Sequence, residues 1–323
     1  MSEPTVPPED LDDVGPEALE AQARARLAQA DLAGAAALLQ QAARLWSEVP
    51  DARRAGSCWL LAASTLRLAG SLEEAEHAAR CAEALPLPDN LRRGIDMERA
   101  EQALARGDAV LARERFAFVL ARYGEHIDDD LRAVVLQRRA AAAAAAHDER
   151  AAAQDFSNAA TLMQANGRAD DAEAARLAAA SCLASVDPAA AQALWQAIDR
   201  QAPADGAAAA RRGLVGGHVA IHAHQTALAI ARLDAARQGA LDARDAVSYL
   251  AASVQSASLL EQQGQPEDAY ARLATAWVTL GDLLGKEAAA ELVRPALSGL
   301  RERLGDPAFQ RVRQAHAAQR RQA

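Results

Sequence analysis

Aromatic residues are scarce in this sequence of 323 residues: they make up 3% of the chain, although 51% of its residues are hydrophobic. Alanine alone supplies about a quarter of all positions. When a core consists mainly of alanine and leucine, the helices pack closely together. The buried side chains then form thin layers between neighbouring helices instead of one large core. Runs rich in valine, isoleucine and threonine, which are typical of strands, are also missing. The composition therefore predicts an all-α protein.

Long apolar runs, disulfide patterns and lysines are scarce as well. No stretch reaches the roughly 18 consecutive apolar residues of a transmembrane helix, and no basic segment followed by an apolar one opens the sequence. Cys58, Cys81 and Cys182 form an odd set without metal-ligand spacing. Lys286 is the only lysine, which indicates a GC-rich genome. We therefore expect a cytoplasmic bacterial protein without a cofactor and without a membrane segment.

The charge balance weighs against nucleic acid as a partner. The formal net charge is −9, whereas nucleic-acid-binding surfaces need clustered basic residues. Acidic residues and prolines are concentrated at the beginning of the sequence, so residues 1–15 are predicted to form a disordered acidic tail. The last predicted helix, Asp306–Arg320, is rich in arginine. We expect it to cap the structure with a polar face, and a site for an anionic partner is the alternative.

A spacing pattern centred on glycines is the most informative positive feature. Gly70 follows Ala63 by seven residues and precedes Ala75 by five. The same two offsets, each occupied by alanine, recur around Gly107, Gly167 and Gly264. Glycine supplies the positive φ that ends a helix, and small residues on both sides allow two antiparallel helices to approach closely. Two degenerate copies without a glycine are predicted around Asp31 and His147.

These units resemble the tetratricopeptide repeat (TPR) family, in which helix–turn–helix units of about 34 residues stack into a right-handed superhelix. The unit from Gly56 to Pro88 carries the resemblance best, with residues at the family's offsets: Trp59, Ala63, Leu66, Gly70, Ala75, Ala79 and Ala82. The unit Leu250–Leu284 fits nearly as well, although Ser253 stands in the place of Trp59. The resemblance implies a right-handed α-solenoid of stacked antiparallel helix pairs, roughly eight of them in this chain.

Prolines and glycines suggest how the repeats are organised. Residues 16–201 are predicted to form N-terminal TPR-like repeats, and residues 218–323 are predicted to form C-terminal repeats that include the basic capping helix. Residues 202–217 are predicted to form a loop or hinge, because several helix breakers fall within them: Pro203, Gly206, Gly213, Gly216 and Gly217. An ordinary loop between helices is the alternative for this segment, and the next helix is expected over Val219–Arg237.

In the TPR family, the first helix of each pair lines a concave groove that takes extended or helical peptides. The resemblance places on this face a mixed apolar and polar set: Leu60, Ser64, Arg67, Met97, Glu101, Gln137, Val254, Ser258 and Glu261. The lysines and asparagines with which one subgroup clamps a C-terminal peptide are missing from these positions. A mixed groove favours a helical or hydrophobic segment as ligand. The alternative is that these side chains only complete the packing between helices.

No catalytic constellation accompanies the repeats. His218 and His222 are four residues apart, as two metal-binding histidines on one helix would be, but no third ligand lies nearby. We expect these histidines to be partly buried or to line the groove, and we predict no metal site.

Three functional hypotheses follow, in this order. The first is a non-catalytic scaffold, adaptor or assembly chaperone that binds a partner protein or peptide. The second is a regulatory repeat domain that senses a small molecule or peptide near Gly213–His224, and the third is a metal-binding or enzymatic all-α protein. Self-association through an exposed apolar edge is compatible with each of them.

Overall fold

The computed structural model describes residues 15–49 and 51–322, apart from the side chains at positions 319, 320 and 322. Within these ranges the chain consists of α-helices joined by turns, and it contains no strand, as the composition predicts. The helices are α1 (Pro16–Ala28), α2 (Leu32–Glu48), α3 (Ala52–Leu68), α4 (Leu72–Glu83), α5 (Asp89–Ala105), α6 (Ala109–Tyr123), α7 (Asp129–Ala145), α8 (Glu149–Ala165), α9 (Ala169–Leu183), α10 (Pro188–Asp199), α11 (Gly206–His222), α12 (Thr226–Asp242), α13 (Ala246–Gln262), α14 (Pro266–Leu284), α15 (Lys286–Leu304) and α16 (Asp306–Gln322). The predicted acidic tail lies outside the described residues except for Gly15, which precedes α1 in an extended conformation.

The helices are arranged as antiparallel pairs, because successive helices are joined by short turns and pack against each other. The first helices of neighbouring pairs also touch, for example α3 with α5 and α13 with α15. The chain divides between Leu162 and Met163 into two compact units, here called the N-terminal and the C-terminal unit. This division lies near the end of α8 and not within the predicted hinge at 202–217.

Ten of the turns between the described helices contain one residue with positive φ. At Gly70, φ is +83°, and the backbone N–H of Ser71 donates to the carbonyl oxygen of Leu66 at 2.9 Å, which closes the end of α3. The other predicted hinge glycines also have positive φ, namely Gly107, Gly167 and Gly264. The alanines seven residues before and five residues after these glycines are all at most 4% exposed. The predicted turns are thereby confirmed, although Gly167 joins two pairs (α8 to α9) instead of two helices of one pair.

Four further turns use a residue other than glycine in the same conformation: Ala30, His147, His224 and Arg244, with φ between +56° and +59°. His147 is the predicted centre of one degenerate copy, and Ala30 lies one residue before Asp31, the predicted centre of the other. In three of these four turns, the next residue is an aspartate whose side chain accepts a hydrogen bond from a backbone N–H of the following helix. Asp31, for example, accepts from the backbone N–H of Gly34 at 2.9 Å. One short turn therefore ends one helix and caps the next.

The turn residues provide a direct test of backbone strain. Gly70→Ala should lower the free energy of unfolding by about 1–2 kcal/mol, because an L-residue is strained at positive φ while the added Cβ would meet nothing within 4 Å. Ala30→Gly should raise it by up to about 1 kcal/mol, since the strain is already present at φ +59°. Urea denaturation of both variants measures the two changes. Equal changes of the same sign would contradict this assignment of strain.

The prediction of a loop over residues 202–217 is wrong from Gly206 onward, because α11 is continuous from Gly206 to His222. The expected helix over Val219–Arg237 is wrong too, since α11 ends at His222 and α12 begins at Thr226. The glycines of α11 are packing residues. A Cβ on Gly213 would lie 2.6 Å from the backbone nitrogen of Ala236 in α12, so the two helix backbones are in direct contact.

The last helix, α16, packs on α14 and α15. Val312 is its buried residue, and the rings of Phe309 and His316 meet Tyr270 edge to face, with centroids 5.6 Å and 5.4 Å apart. Arg311 and Arg313 are exposed. The polar surface suits the predicted role of a capping helix, which stays a prediction.

Every helix in residues 15–49 and 51–322 is too short or too polar to cross a membrane.

Candidate binding groove

The face formed by the first helices of the pairs is the candidate binding surface. Its register can be counted from the positive-φ residue that ends each first helix. Leu60 and Ser64 lie ten and six residues before Gly70, and Val254 and Ser258 lie ten and six residues before Gly264. Because residues four apart share one face of a helix, these two positions point in the same direction in each pair.

In the C-terminal unit, these positions line a cleft between α13 and α15, here called the α13–α15 cleft. Its volume is about 520 Å³, within the range of small-ligand and peptide-side-chain pockets. The predicted residues Val254, Ser258 and Glu261 all line it. Its apolar surface is completed by side chains that the sequence analysis did not assign to a site: Ala257, Leu273, Pro295, Ala296 and Leu300.

An ion pair lies at one end of the α13–α15 cleft. The Nε and Nη2 atoms of Arg303 donate to the two carboxylate oxygens of Glu261, each at 2.8 Å. The hydrogen bond to Glu261 raises the pKa of Arg303. The Glu261 side chain is 15% exposed and that of Arg303 is 58% exposed, so the arginine remains accessible to a partner while it neutralises the carboxylate below it.

In the N-terminal unit, the same positions line a cleft between α1 and α3, here called the α1–α3 cleft. Its volume is about 360 Å³. Leu60 and Ser64 contribute from α3, and Glu20 and Arg24 occupy the corresponding positions of α1, ten and six residues before Ala30. Leu39 of α2 also lines it. Each unit thus has a cleft of this kind, with apolar lining and a charged side, between neighbouring first helices.

The α1–α3 cleft also contains the thiol of Cys58. Burial, and after it the negative charge of Glu20, raises the pKa of this thiol to about 12. A thiol with such a pKa stays protonated at neutral pH and is a poor nucleophile. Cys58 is therefore part of the packing of this cleft and not a catalytic group.

The other predicted groove residues do not line either cleft. Arg67 donates from Nε to the carboxylate of Glu98 at 3.0 Å, and Glu101 forms an ion pair with Arg138 at 3.0 Å. Met97 is half-buried against the core of the N-terminal unit. Gln137 is half-buried on α7.

Arg67 and Glu101 belong to a repeated set of ion pairs. Within each unit these pairs link one first helix to the next: Arg54–Glu17, Arg67–Glu98 and Arg138–Glu101 in the N-terminal unit, and Arg212–Glu173 and Arg303–Glu261 in the C-terminal unit. The assignment of Arg67 and Glu101 to a partner-binding groove stays a prediction. Their side chains are engaged in stacking the pairs.

Comparison with known proteins gives a fold but no closer relationship. No family model and no curated protein matches the sequence. The structure is similar to the apo form of RapI, with a TM-score of 0.64 at 11% identity over 90% of this chain and 87% of that one. It is similar to a tetratricopeptide repeat protein from Parabacteroides merdae ATCC 43184, with a TM-score of 0.57 at 16% identity over 87% of this chain and 98% of that one. It is also similar to the apo form of the quorum sensor NprR from B. thuringiensis, with a TM-score of 0.58 at 12% identity over 90% and 85% of the two chains. The chain has a TPR-like fold.

The TPR-like register places the histidine pair on the same face as the clefts. His218 lies six residues before the turn residue His224, the position that Ser64 and Ser258 hold elsewhere. The rings of His218 and His222 meet edge to face, with centroids 4.6 Å apart. Burial, followed by the neighbouring His222, lowers the pKa of His218, while a hydrogen bond to the backbone of Ser181 opposes this shift. His218 is therefore a half-buried, neutral side chain at neutral pH.

Metal ligands are sparse around this pair. Across the ranges that the structure describes, no group of three or more His, Cys, Asp or Glu side chains is arranged to hold a metal ion. His224 adopts the positive-φ turn conformation and is exposed. His218 and His222 are partly buried, which agrees with one of the two alternatives expected for them.

The side of the α13–α15 cleft that α15 contributes is not among the site residues predicted from the sequence. Pro295 and Gly299 lie ten and six residues before Gly305, which has φ +76°. Gly305 is followed directly by α16, which begins at Asp306. Counting back from Gly305 in this TPR-like repeat would have assigned both positions.

Proposed function

We propose that this protein is a non-catalytic scaffold that holds a segment of a partner protein, or a peptide, against the first helices of its TPR-like repeats. The observation that supports the proposal most strongly is the recurrence of one cleft in each unit at the same two register positions. A cleft with aliphatic lining on the first-helix face of each unit suits a partner segment that inserts aliphatic side chains. The cytoplasmic location and the absence of catalysis are retained as parts of this proposal.

The chemistry of the clefts defines the expected partner. Val254 in one unit and Leu60 in the other are half-buried and present aliphatic surface next to exposed arginines, namely Arg303 and Arg24. Leu39, Leu273 and Leu300 form the nearly buried remainder of the aliphatic lining. Desolvating aliphatic side chains supplies affinity, and charged groups at the edge of a surface supply orientation. We therefore infer an amphipathic partner segment with aliphatic residues at helical or extended spacing.

A ligand-sensing role is the second candidate. The structural similarity to a protein described as a quorum sensor in its apo form favours it. The site expected near Gly213–His224 needs correction, because Gly213 lies against the backbone of α12 and Gly216 lies beneath the ring of Trp195. No space for a ligand exists at these two glycines, so they do not form the sensing site themselves.

Paired substitutions on single helices test the scaffold proposal. Peptides selected from a random display library against the wild-type protein should lose at least tenfold in affinity for Leu60→Asp or Val254→Asp, because a carboxylate then lies in the aliphatic lining. Leu68→Asp on α3 and Val247→Asp on α13 should bind like the wild type, since these side chains are 66% and 78% exposed and line neither cleft. Titration calorimetry measures the affinities.

Circular dichroism and thermal melting establish that each of the four variants is folded. Peptides that bind Leu60→Asp and Val254→Asp as tightly as Leu68→Asp and Val247→Asp would remove the clefts from the proposal. A library that yields no binder for the wild type would remove peptides as the partner class.

A further inference from the structure

The C-terminal unit contains a second cleft that shares no residue with the α13–α15 cleft. It lies among α9, the end of α10, α11 and residues 200–205, and its volume is about 510 Å³. Its charged lining consists of Asp170, Glu173, Arg176 and Arg212, and its apolar lining consists of Ile198 and four alanines. We call it the Arg176 cleft.

Two of the four charged groups are already satisfied by each other. The Nε and Nη2 atoms of Arg212 donate to the two carboxylate oxygens of Glu173, at 2.7 Å and 2.6 Å. A third donor of Arg212 reaches the backbone carbonyl oxygen of Gln201. The side chain of Arg212 is 7% exposed. This pair forms a fixed, neutral part of the wall and has no free charge to offer a ligand.

The other two charged groups lack an ionic partner. Both terminal nitrogens of Arg176 reach the same neutral acceptor, the side-chain oxygen of Gln164, at 3.4 Å. No carboxylate in the described part of the chain pairs with Arg176, although the residue is half-buried. Asp170, six residues earlier on α9, likewise has no hydrogen bond or ion pair within residues 15–49 and 51–322. A guanidinium in a cleft with one long, neutral contact is a site for a ligand carboxylate.

We propose that the Arg176 cleft binds a short peptide with free ends, its ammonium group at Asp170 and its carboxylate at Arg176. Asp170 and Arg176 are six positions apart on α9, which corresponds to about 9 Å along the helix axis and about 120° around it. Both side chains nevertheless line the same cleft. Three extended residues span about 10 Å, so a tripeptide is long enough to contact both groups and is the probe of choice. The walls formed by Ile198 and the alanines at 197, 202 and 204 suit small apolar side chains.

This proposal does not depend on the groove proposed above, and it gives the sensing role a defined site. The cleft volume suits a tripeptide, since ligand pockets range from about 300 to 1,000 Å³. Opposite charges at the two ends fix the direction of the peptide, because reversal would place like charges together.

Calorimetric titration of the wild-type chain with trialanine tests the site. We expect saturable binding at one site per chain, at least tenfold weaker binding of N-acetyl-trialanine and of trialanine amide, and no saturable binding of free alanine. Absence of saturable binding of trialanine would overturn the proposal. Equal affinities for the free and the end-blocked peptides would overturn it as well.

Variants assign the two ends. Arg176→Gln should lower the affinity for trialanine at least tenfold, and trialanine amide should then bind this variant as tightly as trialanine does. Asp170→Asn should lower the affinity to a similar extent, and N-acetyl-trialanine should then bind that variant as tightly as trialanine does. Asp171→Asn is the matched control, because Asp171 lies in the same first turn of α9 and pairs with Arg168 outside the cleft. A loss of affinity in Asp171→Asn as large as in Asp170→Asn would refute the assignment of Asp170.

Discussion

Replacing Arg67 with methionine should lower the free energy of unfolding by about 3–5 kcal/mol at pH 7. The partner of Arg67 is Glu98, whose side chain is 5% exposed and which also accepts from the Gln102 amide at 3.1 Å. Methionine keeps most of the aliphatic volume of Arg67 but leaves a buried carboxylate without its cation. A buried charge that has lost its partner is far more costly than an exposed one.

The loss of unfolding free energy in Arg67→Met should depend on pH in a defined direction. Burial raises the pKa of Glu98, and the hydrogen bonds from Arg67 and Gln102 oppose that shift. A carboxyl group with a raised pKa binds its proton more tightly in the folded state. Its contribution to stability is therefore complete below the unfolded pKa of about 4.3 and is lost as the pH rises through the folded value. Removing Arg67 raises the pKa of Glu98 in the folded state further. The destabilisation should therefore be largest at pH 7 and should shrink as the pH falls toward about 4.

Two controls isolate the buried charge. Glu98→Gln in the Arg67→Met background should recover most of the lost stability at pH 7, because the uncompensated charge is gone. Arg54→Met breaks an exposed pair with Glu17, whose side chains are 52% and 65% exposed, and should cost less than about 1 kcal/mol. Denaturant unfolding at several pH values measures all four proteins. A pH-independent loss in Arg67→Met would show that the effect comes from packing.

The turns were the most predictable part of this fold. Gly70 and its three counterparts were identified because positive φ and flanking small residues are local requirements that a sequence records directly. His224 and Arg244 adopt the same conformation without being glycine. The alanines expected seven residues before and five residues after the turn are also partly replaced. Gly217 is seven residues before His224, and Arg237 and Tyr249 are seven residues before and five residues after Arg244. A search for glycines between alanines therefore could not find these two turns.

The residues of the candidate site could be predicted where their position follows from a single helix. They could not be predicted where their position follows from the packing of two helices. Leu60, Ser64, Val254, Ser258 and Glu261 line clefts because their register follows from their own turn. Whether Arg67 faces the groove depends instead on Glu98, which lies 31 residues away on the next first helix. The stacking of neighbouring pairs determines that contact. No local pattern in the sequence records it.

Gly70 is needed for its positive φ, whereas the glycines of α11 are needed because there is no room for a side chain. Substituting one of them should therefore have a large effect on stability. Gly213→Ala should lower the free energy of unfolding by about 1–3 kcal/mol. The new methyl group would lie 2.6 Å from the backbone nitrogen of Ala236 and 2.7 Å from the carbonyl oxygen of Arg232. Both contacts are to the backbone of α12, so no side-chain rotation can relieve them, and the helices must move apart.

A matched substitution on α14 separates this effect from helix propensity. Gly281→Ala places the same methyl group inside a helix where it would meet nothing within 4 Å. Alanine is favoured over glycine within helices by up to about 1 kcal/mol, so this variant should be more stable than the wild type. Thermal and urea unfolding of both variants should therefore give changes of opposite sign. If Gly213→Ala were stabilising as well, α11 and α12 would not be in backbone contact, and the prediction of a loop or hinge over residues 202–217 would be favoured again.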